Sequence, residues 1–193
     1  AGVLAIEHPL RPDCPQVLTQ LEELGFRRIL MLTGDDERTA RAVAGKLGLK
    51  EYRAQVLPAD KADVIADLTA QGCKVLMVGD GINDAPALSA SHVGVAMCDG
   101  ADLAREVANV LLTRPDLSGL ITARLLGRAT LRRIHVNFAA TMLLNSMFLA
   151  GGLFMILTPG VSALLHNLTT LGVTLNAMRP HLPGRHARQL EAA

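Results

Sequence analysis

The chain has 193 residues, half of them hydrophobic, yet aromatics make up only 3% and Trp is absent. A globular core of that apolarity normally draws on more rings, so the surplus of aliphatic residues has to sit elsewhere. A formal net charge of +1 excludes the strongly basic surface that would argue for nucleic acid. Charge distribution says more than its sum: 17 of the 18 acidic residues lie at or before Asp116, and residues 134–178 contain no Asp, Glu, Lys or Arg. Cys14, Cys73 and Cys98 form no CxxC pair and read as small core residues in a reducing cytosol.

The chain opens inside an aliphatic run, Val3-Leu4-Ala5-Ile6, that reads as a strand without an initiator Met, so it is expected to be part of a longer protein. Asp13 can cap a helix running through Val17, Leu18, Leu21 and Leu24 to a stop at Gly25. Residues 28–32, Arg28 followed by the unbroken apolar run Ile29-Leu30-Met31-Leu32, have the pattern of a buried strand. A second helix is expected from Glu37 through Ala40, Val43 and Leu47 to Gly48, and a third from Asp60 through Val64, Ile65 and Leu68 before Gly72. Residues 75–78 make the next strand, with shorter candidates at 93–97 and 110–112. This alternation predicts an α/β fold, a parallel sheet with helices on both faces, over residues 1–128.

Chemistry in such a sheet belongs just past the C-terminal ends of the strands. Thr33-Gly34-Asp35 follows the 28–32 strand, and Gly79-Asp80-Gly81-Ile82-Asn83-Asp84 follows the 75–78 strand. A hydroxyl and a glycine before a helix offer free backbone N–H groups to an anion. Two carboxylates four apart, spaced by glycines, suit a Mg²⁺ ion with oxygen ligands. Lys61, at the start of the third helix, can supply a cation to a phosphoryl group. Taken singly, Thr-Gly-Asp is a common turn and a lone Lys is a solvated surface charge. The glycine, Asn and double-acid loop asks for more than a turn.

Residues 134–157 then form an apolar run longer than the roughly 20 residues needed to cross a bilayer. Thr158-Pro159-Gly160 is expected to turn the chain, and residues 161–178 form a second, less hydrophobic span. Arg128, Arg132 and Arg133 precede the pair and Arg179, Arg185 and Arg188 follow it, which places both ends on the cytosolic side. The reading is a two-helix transmembrane hairpin over 129–182 with a cytosolic tail at 183–193, rather than two buried helices of a large soluble protein. Polar groups inside a membrane usually face a bundle interior, a partner or a pathway. His166, Thr169 and Thr170 fall within about one helical turn and can share a face. The threonines also suit helix packing, whereas imidazole is a common ligand for divalent transition metals.

Thr33-Gly34-Asp35, Pro58-Ala59-Asp60-Lys61 and the stretch from Gly79 to Leu88 resemble the later motifs of the P-type ATPases, which belong to the haloacid-dehalogenase-like phosphotransferases. The short hairpin ending in Leu175-Asn176-Ala177-Met178-Arg179 resembles the end of the heavy-metal (type IB) group. The resemblance implies an ATP-driven exporter in a bacterial plasma membrane, working through an aspartyl phosphate. It implies that Asp80 binds Mg²⁺, that Thr33 and Lys61 hold the phosphoryl group with Gly34 and Asn83 close by, and that Asp84 supports this loop from behind. Asp35 is expected to cap the following helix. Arg11 matches an Arg near the hinge to the ATP-binding domain. The nucleophile of the family lies in a D-K-T-G-T segment that does not occur in this sequence. That segment and the domain binding most of the ATP are expected in a preceding part of the protein, so this chain alone should be inactive.

The transported cation would meet His166, Asn167, Thr169, Thr170 and Asn145. Copper(I) pumps of the group carry Met and two Ser where this chain has His166, Thr169 and Thr170. Typical zinc and cadmium pumps place a Lys and an Asp in the two spans, and neither is present. The cobalt-type His-Glu-Gly-Gly-Thr segment is begun by His166 and left at Asn167. A divalent ion is therefore expected, its identity open. The rival readings are a membrane-tethered phosphatase of the same fold and a non-catalytic membrane subunit.

Overall fold

The computed structural model describes residues 10–179. The expected strand at 3–6, His8, Arg185, Arg188 and the tail at 183–193 lie outside them. The chain divides into two compact units, Ala1–Ile121 and Thr122–Ala193.

In the first unit, α1 (Cys14–Glu23) carries Pro15 in its first turn and buries Val17 and Leu21, four apart on one face. Gly25 ends it with φ 92°. Asp13 stands at the N-terminal cap position but does not cap with its side chain. Its carboxylate instead accepts the Leu117 N–H at 2.6 Å, tying the start of α1 to a distant loop. Burial pushes the Cys14 thiol up, yet Cys14, Cys73 and Cys98 are half-buried and stand outside the core clusters in which sequence reading expected them.

Strand β1 (Leu30–Leu32) pairs in parallel with β2 (Glu51–Arg53), which sequence reading missed. Glu51-Tyr52-Arg53 has no aliphatic run to mark it. Arg28 clamps Glu51 at 2.6 Å beside this pair and holds that carboxyl below its ordinary range. Between the two strands lies α2 (Glu37–Leu47), ended by Gly48 at φ 69°. Helix α3 (Pro58–Ala70) begins at Pro58, two residues before the expected Asp60, because Pro is pre-shaped for a first helical turn. Its buried face is Val64, Ile65 and Leu68.

Strand β3 (Leu76–Gly79) leads through a 3₁₀ turn (Ile82–Asp84) into α4 (Ala85–Ala90). Strand β4 (Val93–Ala96), α5 (Asp102–Val107) and β5 (Val110–Leu111) follow. These strands form a parallel sheet in the order β3-β4-β5. The single sheet expected from sequence is thus two parallel ladders, with no backbone pairing between β1 and β3 among the described residues. One core cluster joins Val17 and Leu21 of α1 to Val95, Met97, Leu112 and Leu120. A smaller one holds Leu88, Ala96 and Ala104.

Helix α6 (Ser118–Leu153) is one continuous rod of 36 residues, beginning well before the expected 129. It is long and apolar enough to cross a membrane, and the share of its most apolar stretch that is buried is only 6%. A core helix of a soluble protein would be mostly covered. Helix α7 (Pro159–Ala177) has 19 residues and no buried one. It does not meet the same spanning criterion. The reversal sits at residues 154–157, one step earlier than expected. The Gly151 carbonyl accepts the Ile156 and Leu157 N–H groups at 2.9 and 3.0 Å, and Met155 turns with φ 59°. Thr158 then caps α7 through the Val161 N–H, and Pro159 opens it. Within the second unit Arg133 reaches the Arg179 carbonyl, Asn137 meets Asn176 and Asn145 meets His166. Those pairings run in opposite directions along the two helices, so α6 and α7 form an antiparallel hairpin.

Candidate functional site

Two polar turns stand at the C-terminal ends of β1 and β3. In the first, the Thr33 hydroxyl donates to the Asp35 carboxylate at 2.9 Å and accepts the Asp35 N–H at 3.1 Å. Asp35 is therefore folded back onto Thr33 and is not the helix cap. Asp36 takes that place, accepting the Arg38 and Thr39 N–H groups at 2.9 and 3.0 Å and the Thr39 hydroxyl at 2.9 Å. Those donors, Thr39 foremost, hold the Asp36 carboxyl below its ordinary range. The turn is also wired to the exit of β2. Thr33 N–H donates to the Arg53 carbonyl, Val56 N–H to the Thr33 carbonyl and Gln55 N–H to the Asp35 carbonyl, all at 2.9–3.0 Å. Gln55 adopts φ 53° to make this possible. Gly34 is exposed in the turn.

At the second turn, Asp84 is the buried charged side chain of the described core, only 9% exposed. Lys61 Nζ lies 2.7 Å from Asp84 Oδ1. The Gly81 N–H donates to Asp84 Oδ2 at 3.3 Å, and the Asp84 N–H returns to the Gly81 carbonyl at 3.1 Å. Gly79 is what admits this packing: a Cβ on it would lie 2.6 Å from the Asp84 Cβ. Lys61 and Asp84 are thus brought together, although 23 residues separate them. Asp80 and Asn83 are exposed on the same loop. Thr33 and Gly34 share no hydrogen bond with this loop or with Lys61 among the described residues.

Among the described residues no group of three or more His, Cys, Asp or Glu could hold a metal ion by itself. Both Asp84 oxygens are engaged, whereas the Asp80 carboxylate is exposed and has no side-chain partner there. One free carboxylate beside a phosphate-type loop fits Mg²⁺, which usually takes one or two carboxylates and fills its shell with water and substrate phosphate. Sequence reading singled out Arg11 but not its partner: the guanidinium pairs with Asp99 at 3.0 Å, and that hydrogen bond raises its pKa. No local pattern marks Asp99 as its partner.

In the helical hairpin, His166 Nδ1 lies 3.0 Å from Asn145 Oδ1. Asn176 donates to Asn137 Oδ1 at 2.6 Å. Thr169 and Thr170 donate their hydroxyls to the carbonyls of Leu165 and His166 in their own helix, at 3.0 and 3.1 Å. Asn167 is exposed.

Residues 1–92 match the family model of the haloacid dehalogenase-like hydrolases. A manganese-exporting P-type ATPase of Mycobacterium leprae is 42% identical over 179 residues, 92% of this chain and 25% of that protein. A copper-transporting P-type ATPase of Rhizobium leguminosarum is 41% identical over 93% of this chain and 22% of its own length. A crystal structure of a zinc-transporting PIB-type ATPase in its E2·Pi state superposes with a TM-score of 0.83 at 40% identity, covering 89% of this chain and 28% of that one. Over most of its length the chain is similar to heavy-metal-transporting P-type ATPases. It spans about a quarter of the length of the curated relatives it matches. The match to the zinc transporter takes in most of both units.

Proposed function

We propose that this chain is the C-terminal part of an ATP-driven exporter of a divalent heavy-metal cation, whose aspartyl-phosphate nucleophile lies outside it. The observation that carries the reading is the Lys61–Asp84 pair at 2.7 Å, set beside an exposed Asp80 at the end of β3. A catalytic cation held by a buried carboxylate, next to a free carboxylate, is an arrangement for handling phosphoryl charge. In the proposed organisation residues 1–128 complete a phosphorylation domain and 129–182 form the membrane hairpin, with α7 as its second span. A strand bearing D-K-T-G-T and entering between β1 and β3 would join the two ladders. Its Asp would then stand between the Thr33 and Asp80 turns.

In phosphorylation that Asp oxygen bonds to the γ-phosphorus as the bond to the β–γ bridging oxygen breaks and ADP leaves. Water then attacks the acyl phosphate and releases inorganic phosphate. Dividing hydrolysis this way lets each half be coupled to one orientation of the metal site. Asp80 would hold Mg²⁺, which supplies charge neutralisation and alignment at the phosphoryl oxygens when bound. Lys61 offers its ammonium to the same oxygens, and Asp84 keeps that ammonium in place. Thr33, Gly34 and Asn83 offer hydrogen bonds to the transferred group. The ATP itself is bound mainly outside this chain.

Manganese, copper and zinc transporters are all about equally similar, so overall likeness does not select an ion. The choice of a divalent ion rests on His166, which offers an imidazole nitrogen, and on the oxygens of Asn167, Thr169 and Thr170. Asn145, already bonded to Nδ1, orients this imidazole and leaves Nε2 for the ion. A preceding span would complete the ligand set.

The test uses the full-length protein. Asp80→Ala should abolish phosphoenzyme formed from labelled ATP. His166→Ala should weaken divalent-metal stimulation of the ATPase while phosphorylation by inorganic phosphate survives. Near-normal turnover in Asp80→Ala, or stimulation of the wild type by copper(I) alone, would overturn the reading.

A further inference from the structure

Asp80 accepts no side-chain hydrogen bond among the described residues, and Arg11 acts on it only through charge, so its position is set mainly by its backbone. Behind that backbone lies the loop of residues 97–101, between β4 and α5. Ala101 N–H donates to the Asp80 carbonyl at 2.8 Å, and Met97 N–H donates to the carbonyl of the preceding Gly79 at 3.3 Å. The loop closes on itself through Gly100 N–H to the Met97 carbonyl at 3.1 Å. Gly100 packs flat against Asp80. A Cβ there would lie 2.9 Å from the Asp80 carbonyl oxygen, 3.2 Å from its Cα and 3.0 Å from the Met97 carbonyl oxygen. All three are backbone atoms, so no flexible side chain can move aside. From the other side Arg11 staples the loop, through Asp99 at 3.0 Å and through the Pro115 carbonyl.

We propose that the 97–101 loop is a positioning element for Asp80, with Gly100 its decisive residue, so that cation affinity is set by a residue that never touches the ion. This rests on the reading of Asp80 as the Mg²⁺ ligand. Mg²⁺ demands near-ideal octahedral geometry at about 2.0–2.1 Å, so displacing the Asp80 carboxylate by a few tenths of an ångström is felt directly. Loss of such supporting contacts elsewhere costs about 10- to 100-fold in metal affinity.

The experiment takes the full-length protein with inorganic phosphate and counts bound Mn²⁺, as a stand-in for Mg²⁺, by electron paramagnetic resonance. Binding that disappears in Asp80→Asn defines the site, which separates it from the transported cation. Gly100→Ala should raise the half-saturating Mn²⁺ concentration at that site about tenfold. Its thermal midpoint without divalent ions should also fall, since the added methyl is overpacked against backbone, and affinity is therefore read below that midpoint. Asp102→Asn, one residue beyond the loop, should leave the site unchanged. If Gly100→Ala does not fold, Arg11→Lys keeps the charge that acts on Asp80 but loses the two-point hold on Asp99 and Pro115, and should shift affinity in the same direction. Wild-type affinity in a folded Gly100→Ala or Arg11→Lys protein overturns the proposal, as does a lowered midpoint with unchanged affinity. Full Mn²⁺ binding in Asp80→Asn overturns instead the assignment of Asp80.

Discussion

Lys61→Met keeps the length of the side chain and removes its ammonium, leaving Asp84 to face the loss alone. The two side chains are 13% and 12% exposed, so the pair is close to fully desolvated. Removing one partner of a buried ion pair costs about 3–5 kcal/mol. Here the Gly81 N–H still serves Asp84 Oδ2, so the lower end, about 3 kcal/mol, is expected. With about 2–4 °C of midpoint per kcal/mol for a chain of this size, the thermal midpoint should fall by about 9 °C. Asp84→Asn in the same background removes the unpaired charge, so the double variant should be more stable than the sum of the single effects by about 2 kcal/mol. Circular dichroism melts of wild type, both single variants and the double variant in one detergent complete the cycle. A Lys61→Met midpoint indistinguishable from wild type, or strictly additive single effects, would refute the idea that this pair clasps α3 to the β3 turn.

Gly79→Ala places a methyl carbon 2.6 Å from the Asp84 Cβ, so overpacking of about 1–3 kcal/mol is expected and denaturant midpoints should reveal it. The Asp36 carboxyl is depressed in the folded chain, so its cap on α2 contributes above the unfolded value, near pH 4, and is lost as pH falls through the lower folded value. The stability gap between wild type and Asp36→Ala should therefore narrow on acidification, and a gap independent of pH would contradict this. Asn145→Ala should raise the divalent concentration needed to stimulate the full-length ATPase about tenfold by freeing the imidazole to change tautomer. Phosphorylation by inorganic phosphate should be unaffected.

Helices announced themselves in the sequence because their stop signals are chemical: Gly25, Gly48 and Gly72 all adopt positive φ where the apolar periodicity breaks. The strands with continuous Val, Leu and Met runs were legible for the same reason. Strand β2 was not, since Glu51, Tyr52 and Arg53 form a polar strand whose identity comes from pairing with β1. The site residues were found by motif, but their mutual arrangement was not. Nothing local says that Asp35 turns back on Thr33 while Asp36 caps, or that Asp13 reaches Leu117 instead of its own helix. Choices between two acceptors of equal chemistry are settled by tertiary distance. The loop of residues 97–101 was invisible for a related reason, as its role depends on Gly100 lying against a backbone 20 positions away.

The wiring between the Thr33 turn and the exit of β2 has a consequence for how this part of the molecule breathes. Val56 and Gln55 are held by the carbonyls of Thr33 and Asp35, and α3 starts two residues after Val56, with Lys61 in its first turns. The hydroxyl of Thr33 and the ammonium of Lys61 are therefore the two jaws of one caliper, joined by six residues of chain with both ends of the joint pinned. A fluctuation that releases Lys61 by fraying the start of α3 must strain the same bonds that shape the Thr33 turn. The amide protons of Gln55 and Val56 should accordingly exchange with solvent as a single opening unit, at one common free energy. Any bound group that bridged the jaws would slow both protons together.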